Sequence, residues 1–387
     1  MDQTVVVIGA GQAATEFAVA LRAGGFGGAL RIVGDEPYLP YQRPPLSKDF
    51  LSGKSPYEKL ILRPEAFWRE QKVDFELGVA VTAIDRPARN VKLQDGRTFG
   101  YSTLVLATGT RARVPPLSGI ELPGVFALRR IDDVKRLRPA LNAARRVAIV
   151  GGGYIGLEVA AVARGEGRDV IVIEAEERVM KRVTCAEVSS FYERLHRGRG
   201  VDIRTGSRIE AIDGTERANG VRLAGGETIA VDLILVSIGA RPNEELASNA
   251  GLACEDGILV DEYARTADER IYAIGDCTRF PSPRYGRTVR LECVQNAFDQ
   301  AKAAAAAILG KGAAYDPVPW FWSDQYDVKF QSCGLSAGHD DIKLTGDPAS
   351  AHFSVEYRKS GKLIAVDAIN DARAYMMGRK NIALETA

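Results

Sequence analysis

The sequence predicts an α/β protein that contains two βαβ units of the same kind, one inserted in the other, followed by a small α+β domain. The first observation is an internal similarity: Thr4–Ala14 and Arg146–Gly156 each run from a short apolar strand into a glycine-rich turn. The second is that an alanine-rich amphipathic stretch, typical of a helix, follows each turn. The third is a change after Asp316, where short alternating segments replace the βαβ pattern.

Length and composition limit the class of protein. A chain of 387 residues suffices for two or three domains. Its 51 basic and 50 acidic side chains give a net charge of +1, which offers no support for nucleic-acid binding. Apolar runs such as Val147–Val150 are too short to span a membrane, and a strand predicted from Thr4 leaves no room for a leader. We therefore expect a cytoplasmic protein that binds neither nucleic acid nor membrane.

The cysteines and histidines give no metal-binding or disulfide pattern. The five cysteines are scattered without a CxxC pair, and the three histidines are equally dispersed. Single, scattered cysteines fit a reducing compartment. We therefore predict no metal site. The cysteines are Cys185, Cys254, Cys277, Cys293 and Cys333.

The first glycine-rich turn has the spacing of a dinucleotide-binding unit. Gly9 permits a tight turn after the strand, Gly11 lets backbone approach a pyrophosphate, and the small Ala14 permits close packing of helix on strand. The helix predicted at Thr15–Arg22 would direct its N-terminal N–H groups at the anion.

The second turn carries the glycine pattern in full, as Gly151, Gly153 and Gly156, before a helix predicted at Leu157–Arg164. One such pattern alone is weak evidence. Two copies, each after a strand, before a helix and followed by an acidic residue, predict two nucleotide sites.

An acidic residue at the end of the next strand identifies the nucleotide of the second unit. Glu174 follows the strand predicted at Val170–Ile173, where a carboxylate accepts hydrogen bonds from ribose hydroxyls and repels a 2′-phosphate. Glu176 and Glu177 are expected to deepen the negative field. We therefore predict NADH rather than NADPH, with the nearby cations Arg178 and Arg182 as the opposing signal.

The equivalent acids of the first unit are Asp35 and Glu36, which follow the strand predicted at Leu30–Val33. Proline and glycine mark the boundaries of the insertion, at Arg113–Gly119 and Ala240–Asn243. The predicted domains are residues 1–113 with 244–316, residues 114–243, and residues 317–387.

The last part of the chain reads as a small α+β domain. Strands are predicted at Phe353–Arg358 and Leu363–Asp367, joined by a turn at Lys359–Lys362. The polar, partly helical end from Ala374 onward has no evident packing partner in the sequence.

A third motif identifies a family. Leu39–Phe50 reads LPYQRPPLSKDF, directly after the acids of the first unit. With it, the chain resembles the FAD-dependent ferredoxin reductases of bacterial ring-hydroxylating dioxygenases and cytochrome-type monooxygenases, the putidaredoxin reductase group. The matching segments occur in the family's order along nearly the whole chain: Gly9–Ala14, Pro40–Lys48, Ala107–Gly109, Gly151–Glu158, Gly239–Asn243, Gly275–Asp276 and Trp320–Gln325.

The resemblance implies a glutathione-reductase-like architecture of two Rossmann-like domains and a C-terminal domain. It implies an NADH:ferredoxin oxidoreductase with the cofactors FAD and NADH, active as a monomer or a homodimer. The partner implied is a small, acidic [2Fe–2S] ferredoxin that feeds an oxygenase. Family members continue for a short stretch beyond the match to Met376–Arg379, so contacts made by that stretch are left open.

The resemblance also assigns site residues. Lys48 and Glu158 are expected to pair near the reactive edge of the flavin, with Trp322 against the flavin, and these three form the predicted catalytic set. The FAD residues implied are Gly9, Gly11, Gln12, Ala13, Asp35, Glu36, Arg43, Lys48, Val81, Arg129, Asp276, Val294 and Trp322. The NADH residues implied are Gly151, Gly153, Tyr154, Ile155, Gly156, Glu158, Glu174, Arg182 and Gly239.

Other functions on the same fold stay open. A disulfide or peroxide reductase needs a redox cysteine beside the flavin, yet Tyr41–Phe50 contains none, and Cys277 has no partner cysteine near it in sequence. Monodehydroascorbate reductases carry a similar RPxLSK loop. An apoptosis-inducing-factor-like protein that senses NADH is a further alternative.

Basic residues offer a docking face for an acidic ferredoxin. The alternative is that these side chains are ordinary solvated cations, because nothing in the sequence shows that they share one face. The candidates are Arg284, Arg287, Arg290, Lys54 and Lys59.

Overall fold

The computed structural model describes residues 3–384, and the chain divides into two compact units. The first unit is assembled from three stretches of chain: residues up to Gln42, Glu58–Arg111 and Arg241–Pro319. It contains the first glycine-rich turn.

The second unit contains the second glycine-rich turn. It consists of Arg43–Tyr57, Ala112–Ala240 and the residues from Trp320 onward. The RPPLSK loop and the C-terminal segment are therefore grouped with the second turn. The three-domain division by cofactor stays a prediction.

The first unit is built on a five-stranded parallel sheet in the order β19-β7-β1-β2-β3. Apolar, β-branched residues fill its central strands, as expected for a parallel sheet that is covered on both faces. The strands are β1 (Thr4–Ile8), β2 (Ala29–Gly34), β3 (Val73–Leu77), β7 (Thr103–Leu106) and β19 (Ile271–Ala273).

Helices α1 and α7 pack against each other in this unit, and alanines of both are buried in its core. The helices of the unit are α1 (Gln12–Ala23), α2 (Glu65–Glu70), α6 (Glu245–Asn249) and α7 (Val294–Ile308).

Two three-stranded sheets that the sequence did not predict complete the first unit. The first consists of β4 (Val81–Asp85), β5 (Asn90–Leu93) and β6 (Thr98–Gly100), and the second of β18 (Ile258–Leu259), β20 (Thr278–Ser282) and β21 (Arg287–Val289). Two further short strands, β8 (Thr110–Ala112) and β17 (Ala240–Pro242), form a two-stranded sheet.

The second unit repeats the parallel design, with strand order β12-β11-β10-β16-β9. The parallel strands are β9 (Val125–Ala127), β10 (Arg146–Val150), β11 (Asp169–Ile173), β12 (Asp202–Arg204) and β16 (Leu233–Val236). An antiparallel sheet adds β13 (Ile209–Gly214), β14 (Ala218–Leu223) and β15 (Thr228–Ala230), and the helices are α3 (Ile131–Ala143), α4 (Tyr154–Gly165) and α5 (Ala186–Gly198).

The C-terminal segment forms an antiparallel sheet in the order β22-β23-β26-β25-β24 and a final helix, α8 (Ala372–Leu384). The predicted hairpin is confirmed as β25 and β26. Helix α8 has the packing partner that the sequence did not reveal: a Cβ on Gly378 would lie 2.7 Å from a Val366 methyl group, so the helix lies close on the sheet. The strands are β22 (Trp320–Gln325), β23 (Val328–Gly334), β24 (Asp341–Asp347), β25 (His352–Lys359) and β26 (Lys362–Ile369).

Both helices after the glycine turns begin three residues earlier than predicted. Helix α1 begins at Gln12 and α4 at Tyr154, each directly after the second glycine of its turn. Among residues 3–384, no helix combines the length and the apolar character needed to cross a membrane. The same residues contain no group of three or more acidic, histidine or cysteine side chains placed to hold a metal ion.

Candidate functional site

The first glycine turn connects β1 to α1 by a backbone path that a larger residue would block. Gly9 has φ +107°, and a Cβ on it would lie 2.1 Å from the carbonyl oxygen of Ala107. Its N–H donates to the carbonyl of Val33 at 2.7 Å, which ties the turn to the end of β2. Glycine is required here for both conformation and close approach.

Gly11, the N-cap of α1, has different surroundings. A Cβ built on it would meet no atom of residues 3–384 within 4 Å, so the space in front of the helix is open. Ala14, the third small residue, is fully buried against the core. A tight turn, an open second position and a close-packed third position fit a bound pyrophosphate at the helix N-terminus. The fit supports a nucleotide in this unit.

The two acids after β2 have different environments. Asp35 is exposed, whereas Glu36 is buried and accepts a hydrogen bond from the Tyr41 hydroxyl at 2.6 Å. Asp35 is therefore the more exposed of the two acids. Backbone hydrogen bonds from Gly78 to Glu36 and from Val79 to Gly34 position the segment that precedes Val81 beside these acids.

Asp276 and Val294 are brought to the N-terminal end of α1. A Cβ on Gly275 would lie 3.1 Å from the Cβ of Ala13, so Asp276 adjoins the first turn of that helix. Gly275 has φ +79° and donates its N–H to Gln300 at 2.8 Å. Val294 is the first residue of α7, which packs on α1.

The second glycine turn repeats the geometry of the first. Gly151 has φ +108°, and a Cβ on it would lie 2.2 Å from the carbonyl oxygen of Ser237. A Cβ on Gly156 would lie 2.2 Å from the carbonyl of Gly151, whereas one on Gly153 would meet nothing within 4 Å in the described part of the chain. The second unit therefore also fits a dinucleotide.

Glu174 is fixed by the turn itself. Its carboxylate accepts the N–H of Gly152 at 2.6 Å through Oε2 and that of Glu176 at 2.9 Å through Oε1. The expected deepening of the negative field by Glu176 and Glu177 is offset. Lys181 Nζ lies 2.8 Å from Oε2 of Glu176 and 2.5 Å from Oε2 of Glu177. The hydrogen bond from Lys181 lowers the pKa of Glu177.

The two arginines near Glu174 differ. Arg178 donates to the buried Ser189 hydroxyl at 2.5 Å and to the Cys185 carbonyl at 3.2 Å, so its donors are engaged within the protein. Arg182 is exposed and faces Gly239, where a Cβ would lie 3.2 Å from its guanidinium. Arg182 and Gly239, both predicted for NADH, therefore lie together.

The first turn of α4 presents one aromatic and one aliphatic side chain. The Tyr154 ring packs on Phe321 and Phe330, with centroids 4.5 and 5.4 Å apart. Ile155 is 40% exposed, unusual for its size. The exposed part of Ile155 therefore forms an apolar surface beside Gly153.

The predicted pair of Lys48 and Glu158 is formed. Lys48 Nζ lies 2.8 Å from Glu158 Oε1, and the side chains are 19% and 3% exposed. Burial of a carboxylate is costly unless it is paired and hydrogen-bonded. Glu158 meets this condition, because Ser47 donates to Oε2 at 2.5 Å and Ser323 to Oε1 at 2.6 Å.

Sequence reasoning missed Ser47 and Ser323, although both lie inside segments that carry the family resemblance. Ser47 stands in the RPPLSK loop and Ser323 in the WFWSDQ strand. The loop begins with Arg43, whose guanidinium donates to the Arg129 carbonyl at 2.8 Å. The structure thus brings together the two arginines that the resemblance assigns to FAD.

Trp322 lies on the other face of β22 from Glu158. Because strand residues alternate, Phe321 and Ser323 face α4, while Trp320 and Trp322 face away with ring centroids 5.8 Å apart. Trp322 is half-buried.

Two basic residues of the proposed docking face are largely buried and form ion pairs within the protein. Arg284 and Arg290 have side chains only 12% and 15% exposed, and they pair with Asp316 and with Asp256. That part of the predicted face is therefore not available. Arg287, Lys54 and Lys59 are exposed.

Comparison with known proteins agrees with this geometry. Residues 3–301 match the family described as pyridine nucleotide-disulphide oxidoreductase, and residues 320–387 match the family described as reductase C-terminal. Rhodocoxin reductase of Rhodococcus erythropolis is 43% identical over 383 residues, which is 99% of this chain and 90% of that protein.

Two solved structures are similar over nearly the whole chain. The ferredoxin reductase for the CYP199A2 system from Rhodopseudomonas palustris gives a TM-score of 0.97 at 42% identity, covering 99% of this chain and 95% of that one. The covalent putidaredoxin reductase–putidaredoxin complex gives 0.96 at 41% identity, covering 99% and 93%. The chain therefore belongs to the pyridine nucleotide-disulphide oxidoreductase family and, within it, to the ferredoxin reductases of the putidaredoxin reductase group.

Proposed function

We propose that this protein is an FAD-dependent NADH:ferredoxin oxidoreductase. The observation that carries the proposal is the ion pair between Lys48 of the RPPLSK loop and the buried Glu158 of α4, in a chain with two glycine turns that each fit a dinucleotide. Relatives that are ferredoxin reductases support it, as does putidaredoxin reductase, which has been solved in covalent complex with putidaredoxin. The cofactors are FAD and NAD(H).

The chemistry that FAD supplies when bound is acceptance of two electrons as hydride and their release one at a time, which suits a [2Fe–2S] acceptor. The chain's contribution is to hold both nucleotides and to set the charge around the reacting atoms. Lys48 provides a cation that stabilises negative charge developing next to it. Glu158 fixes the position of that cation.

The residues that we assign to FAD include those the structure gathers at the first turn. Gly11 leaves room for the pyrophosphate, the exposed Asp35 would accept from the ribose, and Asp276 adjoins the helix N-terminus. The remaining assignments rest on the resemblance. They are Gly9, Gln12, Ala13, Glu36, Val81 and Val294 in the first unit, and Arg43, Lys48, Arg129 and Trp322 in the second.

The residues that we assign to NADH surround the second turn. Glu174 would accept the ribose hydroxyls, and its two backbone donors hold it ready to do so. Arg178 is engaged by Ser189 and by backbone carbonyls, which supports NADH over NADPH because a free arginine there would favour a 2′-phosphate. Gly151, Gly153, Tyr154, Ile155, Gly156, Glu158, Arg182 and Gly239 complete the set.

A disulfide or peroxide reductase is the main competing function, and the surroundings of Cys277 speak against it. The thiol is fully buried and contacts the carbonyl oxygens of Leu106 and Ile274. Burial raises its pKa, which reduces the thiolate that such chemistry needs. The RPPLSK loop, where a redox cysteine would be expected, contains none.

The physiological setting follows from the same proposal. We assign the protein to the cytoplasm, because its five cysteines are free. The electrons would pass from a small acidic ferredoxin to an oxygenase. The protein would act as a monomer or a homodimer.

The decisive experiment is NADH-driven reduction of a panel of purified acceptors. We expect rapid turnover with a [2Fe–2S] ferredoxin, slower turnover with rubredoxin, and little with monodehydroascorbate or disulfides. Ferricyanide, a small anion that needs no docking face, serves as the control for flavin reduction. Turnover with monodehydroascorbate or a disulfide but with none of the ferredoxins would overturn the proposal.

A further inference from the structure

Glu158 stands at the end of a chain of hydrogen bonds that crosses the interior of the second unit. Ser323 Oγ, 2.6 Å from Glu158, is itself 3.3 Å from Gln325 Nε2. Gln325 Oε1 lies 2.9 Å from His196 Nε2, and His196 Nδ1 lies 3.3 Å from the Tyr326 hydroxyl. Five side chains from α4, α5 and β22 with its following turn are thereby connected.

The chemistry of the groups sets the direction of the hydrogen bonds between Glu158 and His196. A carboxylate oxygen can only accept, so the single proton of Ser323 points at Glu158. Ser323 Oγ then accepts from the Gln325 amide, whose oxygen must accept from His196 Nε2–H. Burial lowers the pKa of His196 and so favours a neutral ring, whose Nδ1 lone pair then accepts from the Tyr326 hydroxyl. Each group donates toward Glu158.

The interior part of the chain is shielded from water. Ser323, Gln325 and His196 are fully buried, and burial lowers the pKa of His196, in agreement with a neutral ring. A hydrogen bond in such surroundings is stronger than in water, and a lost partner is costly. The direction of the chain is therefore maintained against exchange with solvent.

The far end of the chain is anchored at a strained turn. Tyr326 has φ +56°, a left-handed conformation that a bulky residue adopts only when its surroundings hold it. Arg199 supplies part of that hold, because it lies 5.0 Å from the centre of the Tyr326 ring and donates to Asp327 at 2.7 Å. The turn between β22 and β23 is thereby fixed against α5.

We propose that Ser323, Gln325 and His196 are positioning residues, a directed hydrogen-bond chain that aims the Glu158 carboxylate at Lys48. Ser47 has the same role toward the other carboxylate oxygen. The inference rests on the proposed function, in which the Lys48 cation assists electron transfer from NADH. None of these four residues is assigned a contact with substrate, because each acts through Glu158.

The first test measures the direction of the chain without any turnover. The sequence holds three histidines, so ¹⁵N-histidine labelling of the purified holoprotein gives few resonances to assign. At pH 7 we expect His196 to show the neutral tautomer protonated at Nε2, identified with a His196→Gln variant. A tautomer protonated at Nδ1, or a charged ring, would overturn the proposal.

The second test measures how the hydrogen bond from Ser323 affects the reactivity of Lys48. In Ser323→Ala we expect acetic anhydride to acetylate Lys48 several-fold faster, read by peptide mass spectrometry against exposed Lys54. The rate of flavin reduction by NADH should fall about tenfold, with the Kd for NADH within twofold. Ser323→Thr keeps the hydroxyl on a strand residue and should restore both readouts.

Two further variants separate positioning from a general packing effect. Ser354→Ala removes a buried serine from β25, three strands away from β22, and should leave both readouts at the wild-type level. In a Glu158→Gln background, Ser323→Ala should add less than twofold, because its effect runs through the carboxylate. Additive losses, or unchanged Lys48 labelling in Ser323→Ala, would refute the positioning role.

These outcomes are distinguishable from failure of the proposed function. The histidine tautomer and Lys48 labelling need no electron acceptor. If both results agree with the directed hydrogen bonds while no ferredoxin is reduced, the proposed function is wrong and the positioning role stands. If ferredoxin reduction is rapid but His196 is protonated at Nδ1, the positioning role is wrong and the proposed function stands.

Discussion

The two glycine-rich units have the same turn and the same buried acid, in different surroundings. Glu16 in α1 and Glu158 in α4 are each the fifth residue of their helix and almost fully buried. Glu16 accepts from Gln12 at 3.0 Å, and its pKa is raised because burial outweighs the charges of Arg63 and Lys302. Glu158 instead pairs with Lys48 and accepts from Ser47 and Ser323.

A third buried acid shows what hydroxyl donors alone accomplish. Asp367 accepts from Thr184 and Tyr357, each at 2.5 Å, yet burial raises its pKa to about 6. Two hydroxyl donors therefore do not offset the effect of burial on this carboxyl group.

The contrast between Glu16 and Glu158 shows that a glycine turn predicts a nucleotide site but not its chemistry. The chemistry depends on which side chains the rest of the unit brings to the acid.

The largest expected effect separates two glycines of the first turn. Gly9→Ala should destabilise the apoprotein by about 3 kcal/mol or more, because the Cβ would collide with Ala107 in a left-handed conformation. Gly11→Ala should cost less than about 1 kcal/mol but weaken FAD binding, because it fills the open space in front of α1. Urea unfolding and FAD titration measure both. Equal losses of stability would contradict this reading.

The second prediction contrasts the lysines near the two buried acids. Lys48→Ala should slow flavin reduction by NADH about 100-fold while changing NADH affinity only a few-fold, because the lost charge acts on the developing anion. Lys302→Ala, in α7 beside Phe298, should leave the rate within twofold. Stopped-flow reduction at varied NADH is the measurement. An unchanged rate in Lys48→Ala would remove this residue from the catalytic set.

The third prediction concerns the stability cost of Asp367. Its folded pKa of about 6 exceeds the ordinary value of 3.8, so the folded protein binds the extra proton. Stability should therefore fall as pH rises from about 4 to about 6, with the full cost, about 3 kcal/mol, present at pH 7. Asp367→Asn should flatten that part of the curve. Denaturant unfolding across pH 4–7 tests it, and a matching slope in both proteins would contradict it.

The fourth prediction compares the acids that follow the second strand of each unit. Glu174→Ala should reduce the NADH-over-NADPH ratio of kcat/KM about tenfold, because the ribose loses its acceptor and a 2′-phosphate is no longer repelled. Asp35→Ala should weaken FAD binding a few-fold and leave the nicotinamide preference unchanged. Wild-type protein that used both nucleotides equally would refute the assignment of NADH.

The smallest effect is expected at Cys277. Cys277→Ser should leave ferredoxin reduction within about threefold, because the buried thiol contacts backbone carbonyls and takes no part in the proposed chemistry. The measurement is ferredoxin turnover at matched FAD content. Loss of most activity with FAD fully bound would favour a disulfide reductase.

Short-range patterns were enough to predict much of the fold and one part of the site. Both glycine turns, the hairpin of β25 and β26 and the identity of Glu174 follow from spacing and strand alternation. The two additional three-stranded sheets of the first unit were missed, since their strands are only two to five residues long and give too short a pattern to predict. The pair of Lys48 and Glu158 was expected only through the family resemblance, because the residues lie far apart in sequence.

By itself, therefore, the sequence determined the two nucleotide units and the acids at their strand ends, because those depend on contacts between residues close along the chain. The hydrogen-bond partners of Glu158, by contrast, are brought to it by tertiary contacts. Ser47, the β22 pair Ser323 and Gln325, and His196 come from three separate segments, and nothing local in any segment predicts that their hydroxyl, amide and imidazole groups will align. Burial then gives that alignment its strength, because hydrogen bonds removed from water cannot be exchanged for solvent.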